Sequence, residues 1–148
     1  MPSLYLSEYF EKHKGQYYDA LTVVRASSDL IHWIKFFLVA VITTAEKGKE
    51  TFQEIQKIRE DAEKRILELG KKAKNARKLL TLLYRRPIVS VNDVAGFLDL
   101  THQAANALVK NLVGLELLKE ITGYRRNRIF AFGRYLALFL DADDASGE

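Results

Sequence analysis

The sequence of 148 residues contains no cysteine, which excludes disulfides and thiolate metal sites and is compatible with a reducing cytoplasm. Only two prolines occur, Pro2 and Pro87, so almost the whole chain is free to be helical. The most apolar run, residues 30–45, is too short to span a bilayer and contains His32 and Lys35. The N-terminus lacks the order of basic, apolar and small residues that marks a signal peptide. We therefore expect a soluble, cytoplasmic protein that has no membrane partner.

Residue patterns that would support catalysis are also missing. The three histidines, His13, His32 and His102, lie far apart in the sequence, and such isolated histidines are more often ordinary residues than metal ligands. The glycines are isolated and do not form a phosphate-binding loop. We expect no metal, no cofactor and no catalytic residue in this chain, which therefore favours recognition or regulation over an enzyme.

Charge is abundant but uneven. The net charge is +4, and residues 71–86 carry lysines and arginines with no acid among them. Residues 141–148 are acidic, so the net charge understates the local basic patch. This distribution suits a polyanionic partner.

The pattern of apolar residues predicts a mainly α-helical fold in two parts. Residues 1–70 read as a helical segment, with short aromatic-rich helices that break at Gly15 and a helix of about 40 residues that starts near Asp29. Residues 71–140 read as a winged helix-turn-helix with a small antiparallel wing of two or three strands. Residues 141–148 read as a disordered acidic tail.

The long helix has a narrow apolar seam beyond Gly48, with residues such as Phe52, Ile58 and Ile66 spaced by three or four. So narrow a seam needs a partner. That partner could be the preceding helices, the following domain or a second copy of the chain, and we expect a homodimer.

The second part has the element order of a winged helix. A helix up to Tyr84 is stopped by Pro87, and a short strand at residues 88–90 leads into a helix capped by Asn92 or Ser90. Thr101 caps the next helix, which runs to about Val113. The strands 117–122 and 128–132 then form the wing, and a last helix covers residues 133–140.

The second helix of such a motif lies in the major groove, and the wing contacts the DNA backbone or the minor groove. Asparagine and glutamine can pair with adenine, and lysine can reach guanine or phosphate. The predicted DNA-binding residues are His102, Gln103, Asn106, Lys110, Tyr124, Arg125, Arg126 and Arg128. Winged helices also serve as protein-interaction modules, in which case the same polar face is merely solvated.

One position departs from the usual pattern. The recognition helix of such modules usually ends at a glycine in the left-handed conformation. Gly114 comes early for this role, and Glu116 stands where the glycine is expected. We therefore expect the helix to end a residue or two sooner than usual.

Two segments resemble a known family. Residues 2–10, PSLYLSEYF, are followed by YYDAL at residues 17–21 and by a tryptophan and FFL at residues 33–38. This pattern resembles the segment after the catalytic loop of Fic (filamentation induced by cyclic AMP) proteins. Residues 120–128, EITGYRRNR, resemble the wing of the winged helix that ends many of them.

The resemblance implies a relation to enzymes that transfer AMP from ATP to a protein hydroxyl. The catalytic motif of that family, H-P-F-x-x-G-N-G-R, is absent from the chain, so no catalytic residue can be assigned from it. The resemblance therefore predicts the non-catalytic C-terminal part of such a protein, with a winged helix that binds duplex DNA. The alternative is an interaction and dimerisation module that regulates the Fic catalytic core or recruits its target protein.

Overall fold

The structure is a computed structural model, and it describes residues 6–124 and 127–144. The helices in chain order are α1 (Leu6–Lys12), α2 (Lys14–Ser27), α3 (Ile31–Leu67), α4 (Ala73–Leu83), α5 (Val91–Leu98), α6 (His102–Gly114) and α7 (Gly133–Asp144). The strands are β1 (Ile88–Ser90), β2 (Lys119–Glu120) and β3 (Ile129–Ala131), and one 3₁₀ turn covers Gly70–Lys72. The fold is mainly α with one small antiparallel sheet, as predicted. No helix among these described residues is long and apolar enough to cross a membrane.

The chain forms two compact units, residues 1–54 and 55–148, and the division falls inside α3. In the first unit, aromatic side chains of α1 and α2 pack on α3. The ring of Phe36 lies 5.8 Å from that of Phe10 and 6.2 Å from that of Tyr17, measured between ring centroids. The break between α1 and α2 falls at His13, and the predicted break at Gly15 is wrong because Gly15 continues the helix.

The start of α3 agrees with the predicted position of its cap. The Asp29 carboxylate accepts a hydrogen bond from the backbone N–H of Ile31 at 2.9 Å, which satisfies one of the free donors of the first turn. The helix then runs for 37 residues, close to the predicted length. Ile58, Ala62 and Ile66 of α3 lie in the core of the second unit. The following domain therefore covers this part of the seam, and the second unit begins at residue 55 rather than at the predicted residue 71.

The second unit has a continuous apolar core. Its completely buried large side chains come from α3, α4, α5, α6, strand β1 and the residue after β3, and they are Ile66, Leu79, Leu80, Leu83, Val89, Val94, Val109, Leu112 and Phe132. Burial of one leucine or isoleucine stabilises a fold by about 1.5–3 kcal/mol. This core fixes α6 against α4 and α5.

The sheet has the order β1-β3-β2, and both pairings are antiparallel. The strands of the wing are shorter than the predicted strands 117–122 and 128–132. The reason is local, because the hydroxyl of Thr122 accepts a hydrogen bond from the backbone N–H of Ile129 at 3.1 Å and so replaces a backbone carbonyl. The backbone N–H of Phe132 donates to the carbonyl of Pro87 at 2.8 Å, beyond the end of β3.

At the C-terminus of α6, a glutamate occupies the left-handed position at which a glycine is usual. The helix ends at Gly114, and Glu116 adopts the left-handed conformation with φ 57°. The N–H of Glu116 donates to the carbonyl of Val113 at 2.9 Å, and the N–H of Leu117 donates to that of Leu112 at 2.9 Å. These two bonds form a Schellman motif, in which glycine is the usual residue at the left-handed position.

The last helix, α7, runs to Asp144 instead of ending at Leu140. The predicted disordered tail therefore starts with four helical residues, 141–144, because neither proline nor glycine interrupts the helix there. Residues 145–148 of that predicted tail lie outside the described residues.

Candidate nucleic-acid interface

The helix-turn-helix consists of α5 and α6, and each of these helices starts at a side-chain cap. The Asp93 carboxylate accepts hydrogen bonds from the hydroxyl of Ser90 at 2.7 Å and from its backbone N–H at 2.8 Å. These hydrogen bonds hold the pKa of Asp93 below its usual value. The hydroxyl of Ser90 accepts from the N–H of Asp93 at 3.2 Å, so the pair forms a capping box. Of the two predicted caps, Ser90 is the one used.

The turn between the helices is fixed by one left-handed residue and one cap. Asp99 has φ 51°, and the N–H of Leu100 then donates to the carbonyl of Ala95 at 3.0 Å. Thr101 caps α6 as predicted, because its hydroxyl accepts from the N–H of Ala104 at 3.2 Å. The turn and its cap therefore set the direction in which α6 leaves α5.

The two faces of α6 differ as a recognition helix requires. Ala105, Leu108, Val109 and Leu112 are buried in the core. The predicted DNA-binding residues His102, Gln103 and Lys110 are exposed. None of these three side chains has a hydrogen bond or ion pair with another described residue. Their polar groups are therefore free to meet a ligand.

Asn106 is different because it is partly buried and already engaged. Its side-chain Oδ1 accepts a hydrogen bond from Nη2 of Arg128 at 2.9 Å. Nη1 of Arg128 lies 3.5 Å from the carboxylate of Glu120, and its guanidinium lies over the ring of Phe130 at 5.4 Å from the centroid. Two residues predicted to contact DNA thus bind each other and join α6 to the wing.

The tip of the wing is exposed. Tyr124 is 68% exposed and follows Gly123, which has φ 65°. Asn127 is also left-handed, with φ 52°. The predicted phosphate contacts Arg125 and Arg126 lie outside the described residues. Contact of the wing with DNA thus stays a prediction.

The basic run 71–86 supplies exposed cations from α4 and its flanks. The exposed residues are Lys71, Lys72, Lys74, Arg77, Lys78, Arg85 and Arg86. The guanidinium of Arg77 donates to the carboxylate of Glu63 at 2.8 Å, so its charge is partly neutralised. The other six have no ion pair with a described residue.

The sequence analysis did not predict a network of charged side chains at the C-terminal end of α6. Nη1 of Arg65 donates to the carbonyl of Leu115 at 3.0 Å and lies 3.4 Å from a carboxylate oxygen of Glu116. Its Nε lies 3.1 Å from the carboxylate of Asp61, which also accepts from Arg134. Partial burial raises the pKa of Asp61, but the hydrogen bonds and charges of the two arginines lower it by a larger amount. The net shift of this pKa is therefore downward. A cation at the C-terminus of α6 also suits the helix dipole.

Asp61 and Arg65 lie four residues apart, which is a visible pattern of a charge pair on a helix. The contacts of Arg65 with Leu115 and of Asp61 with Arg134 join residues far apart along the chain, so no local pattern indicates them. Glu120 was also missed, although opposite charges on the two strands of the wing were a usable signal. Glu120 pairs with Phe130 in the register, two residues from Arg128. Among the described residues, no group of three or more histidine, aspartate or glutamate side chains is placed to hold a metal ion.

Comparison with known families supports the helix-turn-helix. Residues 77–133 match a family model described as "HTH DNA binding domain". The match begins in α4 and ends after β3, so it covers the elements that build the winged helix. This part of the chain is a helix-turn-helix region. No curated protein shows significant similarity to the chain.

Proposed function

We propose that the winged helix binds duplex DNA, with the first turns of α6 in the major groove and the wing on the sugar–phosphate backbone. The observation that carries this proposal is the exposed polar face of α6. Gln103 and Lys110 have no hydrogen bond or ion pair there with any residue that the structure describes, although the opposite face is packed in the core. The match to a DNA-binding family over residues 77–133 supports the same reading.

The test is fluorescence anisotropy with labelled duplexes at two or more salt concentrations. Binding by phosphate contacts weakens with salt, with a logarithmic slope of about −0.9 for each contact. The double variant Arg125→Glu/Arg126→Glu should weaken binding to all duplexes alike and reduce the slope by about two. The matched control is Lys14→Glu/Lys49→Glu, which makes the same charge change on α2 and α3. Unchanged affinity in the wing variant would contradict the proposal.

A second candidate function is self-association through α3, and a specific observation favours it. Six large apolar residues on the part of α3 in the first unit are about half exposed or more. They are Ile31 at 62%, Ile34 at 45%, Leu38 at 51%, Ile42 at 57%, Phe52 at 53% and Val39 at 52%. The first four are spaced by three or four residues, which is the pattern of a helix that packs against another helix. We propose a homodimer through this face.

Sedimentation at increasing protein concentration tests the dimer. The double variant Leu38→Glu/Ile42→Glu should stay monomeric, because it would bury charge in the interface. Thr43→Glu, at an exposed polar position beside them, should dimerise like the wild type. A wild-type protein that remains a monomer at high concentration would rule out this function.

We propose further that the chain is the non-catalytic portion of a Fic-like protein, in which it orients the catalytic core or recruits the target. The tyrosine- and serine-containing pattern of residues 2–21 and the wing sequence 120–128 support this proposal. It predicts that the chain alone transfers no AMP from labelled ATP to protein. Transfer by the purified chain would contradict it, and binding to a separately produced Fic catalytic domain would support it.

A further inference from the structure

Asn106 lies in the part of the recognition helix that would face the bases, but its amide group is already oriented. A bidentate contact with adenine needs the oxygen and the nitrogen of the amide to point at one base edge. The oxygen instead accepts from Arg128 at 2.9 Å. The guanidinium is fixed in turn by Glu120 at 3.5 Å and by the face of Phe130 at 5.4 Å.

This pair is also the link between α6 and the wing. Among the residues 6–124 and 127–144, no other side-chain hydrogen bond joins α6 to residues 117–132. The strand β2 has only two residues, so few backbone bonds hold the wing in place. Loss of the pair would loosen the wing without removing a group that reads bases.

Apart from Asn106 and from His102 at its first position, the first two turns of α6 expose Gln103, Ala104 and Ala107. Gln103 has no hydrogen-bond partner among the residues that the structure describes. Gln103 and Ala107 lie four residues apart, so they share one helix face. A glutamine amide pairs with adenine, and an alanine methyl contacts the 5-methyl group of thymine.

We infer that α6 reads adenine through Gln103 and the thymine methyl through Ala107, with Ala104 beside it. Asn106 and Arg128 form a positioning pair that holds the wing against α6. The DNA that this helix recognises is therefore a duplex that presents adenine and thymine to α6 in the major groove. This inference rests on the proposed DNA binding.

The experiment starts with selection of bound sequences from a random duplex pool by the full chain. The affinity for the selected duplex is then compared with that of the same duplex in which uracil replaces thymine, which removes only the methyl groups. Loss of one buried methyl contact should weaken binding about fourfold. Ala107→Gly should bind both duplexes equally. Because glycine also weakens a helix, Ala107→Ser serves as a second variant, which replaces the methyl with a polar hydroxymethyl group and costs the helix less than glycine does.

The positioning pair is tested by its effect on base preference. Gln103→Ala should lose the preference for one adenine. Asn106→Ala, Arg128→Ala and the double variant should all weaken binding to every duplex by a similar factor and leave the preference unchanged. Because the two residues act as one unit, the double variant should bind DNA no more weakly than either single variant.

The outcomes separate this inference from the proposed function. If the wild type binds no duplex at low salt, both are wrong. If it binds and the uracil duplex binds as well as the thymine duplex, methyl reading is wrong and DNA binding stands. If Asn106→Ala changes the preference at a single base pair, Asn106 reads a base and its role as a positioning residue is wrong.

Discussion

The left-handed glutamate at the end of α6 gives a quantitative prediction. A non-glycine residue in this conformation costs about 1–2 kcal/mol, because its Cβ crowds the following carbonyl. Glycine avoids this cost but has more freedom in the unfolded chain, which costs about 0.4–1 kcal/mol. Glu116→Gly also loses an ion pair with Arg65 that spans 3.4 Å, and the Glu116 side chain is 85% exposed. Such an exposed pair contributes little to stability.

The free energy of unfolding of Glu116→Gly should therefore rise by about 0.5 kcal/mol, which corresponds to an increase of about 2–4 °C in Tm. The matched control is Glu116→Ala, which loses the same ion pair but keeps the left-handed strain. It should be slightly less stable than the wild type, so the two variants should differ by about 0.8 kcal/mol. Urea unfolding followed by circular dichroism measures both. Equal stability of the glycine and alanine variants would refute the reasoning, because it would mean that the left-handed strain is no larger than the unfolded-chain entropy cost of glycine.

Four further predictions concern a core tyrosine, a surface ion-pair network and a helix cap of the second unit. The buried hydroxyl of Tyr84 has no hydrogen-bond partner among the described residues, so Tyr84→Phe should be at least as stable as the wild type in urea unfolding; a clear loss of stability would contradict this. Burial raises the pKa of Tyr84 to about 12, so the wild type should lose stability as pH rises from 10 through 12, and Tyr84→Phe should lack this component in alkaline unfolding curves. Asp61 has a lowered pKa, so its contribution should be present above its usual value of 3.8 and lost as pH falls below it; Asp61→Asn should flatten the acid limb of the stability curve, and an unchanged limb would count against the network. Ser90→Ala removes the cap of α5 and should cost about 1 kcal/mol in thermal unfolding, whereas the neighbouring exposed Asn92→Ala should cost much less.

The order of elements was predictable because each one carries a local signal. Pro87 stops α4. The helix α5 is capped by Ser90, and α6 is capped by Thr101. The spacing of the apolar residues of α6 marks its buried face. These signals depend on residues within a few positions of each other. They also placed His102, Gln103 and Lys110 on the exposed face of α6, where the structure has them.

Local signals were weaker where several conformations have similar energies. The break in the aromatic segment fell at His13 instead of Gly15, since a single glycine costs a helix only about 1 kcal/mol. The wing strands came out short because Thr122 can supply a hydrogen-bond acceptor in place of the backbone. The final helix ran past Leu140, where nothing in the sequence required it to stop.

The sequence alone determined the helical class, the winged helix and its exposed polar face, because periodicity and capping act over a few residues. Only the tertiary structure decided which of the polar groups are free. Arg128 and Asn106 lie 22 positions apart, and the pairing of β2 with β3 brings them together. Arg65 reaches the end of α6 across 50 positions because Ile58, Ala62 and Ile66 anchor α3 in the same core. Such contacts depend on how the elements pack, and no local pattern in the sequence encodes them.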